Sequence, residues 1–109
     1  MSITVTFACN IGAMSNFERP RYQQLTKQLR AAVRERQEMP DGYKVRIDGS
    51  TLSLPEAAEW MSFERLCCPF LTLQLEASGN EQDWFLCLKG PAGVKAFLDA
   101  ELLLERSEG

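Results

Sequence analysis

Four segments of the chain alternate apolar and polar residues with a period of two, and this constrains the fold more than any other feature. The pattern marks a β-strand with one covered and one open face. In ITVTFAC, Ile3, Val5, Phe7 and Cys9 share a face and Thr4 and Thr6 oppose them. In YKVRID, Tyr43, Val45 and Ile47 oppose Lys44, Arg46 and Asp48. LTLQLEA sets Leu71, Leu73 and Leu75 against Thr72, Gln74 and Glu76, and WFLCLK sets Trp84, Leu86 and Leu88 against Phe85, Cys87 and Lys89. SGNEQ between the last two contains Gly-Asn and predicts a hairpin.

Three helices are expected between and after these strands. The first carries Tyr22, Leu25, Leu29, Ala32 and Val33 on one stripe, with Pro20 at its first position, where a missing N–H costs nothing. Ser15 to Glu18 has capping-box spacing but reads as a separate preceding turn. The second helix starts at Ser53, whose spacing from Glu56 makes a capping box, and stops near Cys67 because a residue before proline disfavours the helical region. The third starts at Gly90-Pro91 and buries Val94, Phe97 and Leu98.

The predicted order is βαβαββα in a single domain spanning residues 1–109. Each strand has one polar face, so the expected fold is α+β, a two-layer sandwich with all three helices on one side of a four-stranded sheet. Short connections on either side of the second helix predict that the YKVRID and LTLQLEA strands run parallel, giving a mixed sheet. The direction of the first strand is open, because residues 10–19 form a loop long enough to span the sheet.

Composition enters mainly through what it excludes. The net charge of −3 offers no basic face for nucleic acid and no polybasic membrane segment. The N-terminus has neither a positive n-region nor a long apolar run, so the expectation is a cytoplasmic protein with reduced thiols. The chain has no histidine at all. That removes Ser-His and Cys-His nucleophile pairs, imidazole bases and the zinc patterns that use His. No phosphate-binding glycine loop is present either, and an enzyme is the lesser expectation.

Chemistry therefore falls to the four cysteines, above all the adjacent pair in ERLCCPF. A helical projection puts Leu54, Ala58, Met61 and Cys68 on a sheet-facing stripe, and Trp60, Phe63 and Cys67 on a second apolar stripe. Thiols at a helix C-terminus sit at the negative end of the dipole, which discourages thiolate formation unless a soft metal displaces the proton. The functional reading is a thiolate site made by Cys67 and Cys68, with Cys9 as a third ligand, for Cu(I), Hg(II) or As(III). It requires the strand ending at Cys9 to run antiparallel to the strand that follows Cys68. Cys87 faces the opposite side of the sheet from Cys9, which argues against closed structural zinc. Neighbouring cysteines form only a strained ring, a poor basis for a redox switch. Against all of this stands plain packing, since free cysteine is among the most buried residue types.

Other features carry less. Lys89 and Lys95 flank the start of the third helix, an anion-binding position equally explained by helix-start grammar. Glu56, Glu59 and Glu64 read as a solvated helix face. Trp60, Phe63 and the open-face Phe85 are the candidate surface for a ligand, a partner or a homodimer.

The blocks CNIGAMS, MPDGYKVRID, WMSFERLCCPF and LKGPAGVKAFL together resemble an uncharacterised group of small bacterial proteins. Those proteins carry a Glu-Arg-x-Cys-Cys-Pro-Phe block followed by a Gly-Pro-x-Gly-Val-Lys segment, and the likeness covers nearly the whole chain. It implies no activity and transfers no functional residue. The leading expectation is a small binding protein for a thiophilic metal or metalloid. Its rivals are a non-catalytic interaction domain and a thiol enzyme using Cys67.

Overall fold

The computed structural model describes residues 11–102. After a short 3-10 turn, Ile11–Ala13, the elements in order are α1 (Glu18–Ala32), β1 (Val33–Met39), β2 (Gly42–Ile47), α2 (Leu54–Cys67), β3 (Thr72–Ala77), β4 (Trp84–Lys89) and α3 (Val94–Leu102). The chain is α+β, with three helices and one four-stranded sheet among the described residues, in the order β1-β2-β4-β3.

The sheet corrects the sequence reading in two ways. Among the described residues every ladder is antiparallel, β1 with β2, β2 with β4 and β3 with β4, so the sheet they form is not mixed. The expected parallel relation between β2 and β3 survives only as direction. Each opposes β4, so the two run the same way, but β4 lies between them and no parallel ladder forms.

The second correction is the order, αββαββα over the described residues. Val33 does not extend the first helix but opens a strand, Val33–Met39, that pairs with β2 from Val33↔Ile47 to Met39↔Gly42. The two-residue connection is Pro40-Asp41 ahead of Gly42, and proline second with glycine fourth is type I turn grammar. The alternating segment Ile3 to Cys9, expected as the first strand, lies outside the described residues.

Two helix starts also move. The first helix begins at Glu18, two residues before Pro20, and the proline still falls among the first four positions, whose N–H groups have no partner within the helix. Ser15 and Glu18 make the reciprocal bonds of a capping box, Ser15 N–H to Glu18 Oε1 at 2.7 Å and Glu18 N–H to Ser15 Oγ at 3.1 Å. These close the turn leading into α1, while the N-cap position itself is Phe17. The third helix begins at Val94, three residues after Pro91, with Gly93 at φ 94° in the intervening turn.

Alternation places the core as expected. Tyr43, Val45, Ile47, Trp84, Leu86 and Leu88 are buried on one sheet face and join Leu25, Leu29, Trp60, Val94, Phe97 and Leu98 of the helices in one cluster. The opposite face is charge-paired across strands: Arg46 bonds Glu35 at 3.3 Å and also Asp83, and Lys44 bonds Glu76 at 3.2 Å. No described helix is long and apolar enough to cross a membrane.

Candidate functional site

The site forms where α2 ends. Ser53 and Glu56 close the expected capping box at its start, Glu56 N–H to Ser53 Oγ at 3.3 Å and Ser53 N–H to Glu56 Oε1 at 3.0 Å. The helix runs for fourteen residues, and Pro69, two beyond its end, denies it a continuation. Cys68 leaves helical geometry at φ −130° and ψ 66° while its N–H still bonds Glu64 O at 2.7 Å. Leu71 N–H bonds Cys68 O at 3.1 Å, and the chain turns directly into β3.

The buried stripe of α2 is Ala57, Trp60, Glu64 and Cys67, at spacings of three, four and three. Leu54 and Ala58 of the expected sheet-facing stripe are exposed instead, because the helix turns its 57-60-64-67 face toward α1. A carboxylate therefore lies in the core. Glu64 is 1% exposed, which corrects its reading as part of a solvated face. Glu59, by contrast, stays at the rim, where Arg21 holds it through two bonds of 3.0 and 2.8 Å.

Burying a carboxylate requires partners, and α1 supplies one. The Tyr22 hydroxyl donates to Glu64 Oε1 at 2.7 Å. Trp60 Nε1–H donates to Thr26 Oγ1 at 3.1 Å, and the Thr26 hydroxyl donates to Tyr22 O at 2.9 Å. Phe63 meets the Tyr22 ring edge-on at 6.3 Å between centroids. A polar chain thus crosses the α1–α2 interface and ends on sulfur. The Cys67 thiol donates to the same Glu64 oxygen at 4.0 Å, and Cys67 Sγ lies 3.6 Å from Cys68 Sγ.

Glu64, Cys67 and Cys68 offer three ligand atoms within 4.8 Å of one another, all buried. Both cysteines are 0% exposed. Cys68 is disulfide-bonded, which corrects the expectation of reduced thiols, so it can act as a donor only after reduction. Burial, then the negative charge of Glu64, pushes the Cys67 thiol up, with the Tyr22 hydroxyl opposing. Burial and Glu64 likewise hold the Tyr22 phenol well above its ordinary range. Neither group is poised to ionise, and Arg65, the nearest cation in sequence, is exposed.

The structure separates the other candidates. Cys9 lies outside the described residues. Trp60 is buried against α1 and so belongs to no exposed surface, while Phe63 is half-buried beside Tyr22. Phe85 is half-buried on the open sheet face beneath the Lys44 ammonium, 4.9 Å from the ring centre. Cys87 is a free, half-buried thiol on that face, apart from the buried cluster. Lys95 pairs with Glu38. Glu64 is the residue the sequence reading missed. Its signal was present, four residues after Trp60 and three before Cys67, on the apolar stripe itself.

No family model, no curated protein and no solved structure matches the chain.

Proposed function

We propose that the protein, with Cys68 reduced, binds a thiophilic metal or metalloid through Cys67 and Cys68, with Glu64 as an oxygen donor and Cys9 as a supporting sulfur. One observation carries this reading: two sulfurs and a carboxylate oxygen converge within 4.8 Å in a buried site. Burying a carboxylate beside two sulfurs is costly, and the fold holds it there through partners such as the Tyr22 hydroxyl. A bound cation or metalloid suits such a donor set, because coordination displaces the thiol protons that burial otherwise retains. A thiol enzyme is the weaker reading, because nucleophilic cysteines need a lowered pKa and Cys67 is shifted the other way.

Complete burial of both sulfurs favours the competing reading, in which Cys67 is packing and Cys68 holds a structural disulfide. Titration of the reduced protein with Cu(I), Hg(II) or As(III), followed by sulfur charge-transfer absorbance, separates the two. One tight site per chain is expected, lost in Cys67→Ser and in Cys68→Ser and weakened in Cys9→Ser. Equal binding by the Cys67 and Cys68 variants leaves packing and the disulfide as their roles.

A further inference from the structure

The geometry points to a trivalent, pyramidal metalloid of the arsenite class as the ligand of this site, an inference that rests on Cys67 and Cys68 being its sulfur donors.

The first argument is the bite of the pair. With bonds to sulfur of about 2.3 Å, the 3.6 Å separation of Cys67 and Cys68, observed with Cys68 in its disulfide, subtends roughly 103° at a shared centre. Linear coordination, the habit of two-coordinate Hg(II) and Cu(I), sets its sulfurs about 4.6 Å apart at the same bond length. Adjacent residues at a helix end would have to open by about 1 Å to accept it. A pyramidal centre with a lone pair needs an angle near the one present.

The second argument is donor number. Among the described residues Cys67 and Cys68 offer two sulfurs with a Glu64 oxygen beside them, sealed at 0–1% exposure. A tetrahedral ion needs four ligands and would have to recruit the supporting Cys9 or a water as well. A pyramidal metalloid needs only the two sulfurs, since it keeps one of its own hydroxyls and fills the remaining place with its lone pair.

The third argument is charge. Arsenous acid is neutral, and its condensation with two thiols balances without redox change: As(OH)3 + 2 R–SH gives (R–S)2As–OH + 2 H2O. Two S–H and two As–O bonds break, two As–S bonds form, and each proton leaves on a hydroxide as water. No net charge enters the core, whereas a divalent cation must shed its hydration shell to get there. The remaining As–OH can donate to Glu64, which the Tyr22 hydroxyl already holds in place at 2.7 Å. Tyr22 is thus a positioning residue.

The test uses the whole chain reduced with a water-soluble phosphine, which opens the Cys68 disulfide without chelating arsenic as a dithiol would. Arsenite, Hg(II) and Zn(II) are added separately and read by native intact mass and near-ultraviolet absorbance. One As–OH per chain is expected, replacing two thiol hydrogens, absent in Cys67→Ser and unchanged in Cys87→Ser. Glu64→Gln and Tyr22→Phe, which preserve shape and give folded controls should a cysteine variant misfold, should weaken arsenite about 10- to 100-fold. Hg(II) or Zn(II) bound at Cys67 and Cys68 with arsenite refused overturns the metalloid inference and leaves the soft-ion reading standing. Refusal of all three by the reduced wild type overturns both. Arsenite bound undiminished by Cys67→Ser and Glu64→Gln overturns the assignment to this site.

Discussion

Glu64 is where residue-level chemistry departs most from what spacing alone suggests. A single carboxylate between Trp60 and Cys67 is buried because Tyr22, 42 positions earlier in the chain, delivers a hydroxyl to it. Its charge, added to burial, keeps the Cys67 proton in place. The consequence for stability has a definite sign. The ordinary thiol value is 9.0, and the folded value lies above it. Between the two, the unfolded chain has released a proton that the folded chain retains, so this contribution is complete below about pH 9 and is lost as pH rises further. One such proton can tilt stability by at most about 1.4 kcal/mol per pH unit. Urea unfolding of the reduced protein from about pH 8 to 10 should therefore decline more steeply than that of Cys67→Ser, which has no thiol there to titrate. Parallel profiles would mean that Cys67 titrates alike in both states.

At the scale of elements, the β1–β2 hairpin holds the sharpest constraint. Gly42 pairs with Met39 on one side and Lys89 on the other, and a Cβ there would run into the Leu88 backbone carbonyl. Backbone cannot yield as a side-chain tip does, so Gly42→Ala should destabilise by about 1–3 kcal/mol, read as a lower urea midpoint at unchanged m. A midpoint within error of wild type would show that the strands can part there at no cost. The same hairpin explains what the sequence hid. YKVRID and WFLCLK alternate cleanly because β2 and β4 are central and half-covered. β1 is an edge strand whose core-side residues are Arg36 and Glu38, and these meet Asp99 and Lys95 of α3. With charges on both faces, VRERQEM has no apolar rhythm, and only the Pro-Asp-Gly that follows betrays the turn. The parallel-strand expectation failed for a related reason: short connections fix direction, but nothing local reveals that β4 will insert between β2 and β3. The site was legible to the same degree. The cysteine pair and the end of its helix followed from Pro69, while the carboxylate's burial depended on α1 docking, a long-range contact.

For the molecule as a whole, the question is how a ligand reaches sulfurs that the folded chain seals. Cys67 and Cys68 belong to the same buried cluster as Trp60 and Leu25, so access requires part of that cluster to open. The described fold offers a contrast within one chain: Cys87 is half-buried on the solvent-facing side of the sheet, and Cys67 is fully enclosed. A maleimide added to the reduced protein should modify Cys87 first. Cys67 should follow at a rate that levels off with reagent concentration, because opening rather than collision then sets the pace. Denaturant well below the midpoint should speed Cys67 and leave Cys87 nearly unchanged, while a bound metalloid should protect Cys67 together with Cys68 and leave Cys87 open. Peptide mapping of the labelled chain distinguishes the two sites directly. Equal rates at both thiols would place Cys67 in free exchange with solvent, and the enclosure that favours a neutral ligand over a hydrated cation would lose its physical basis.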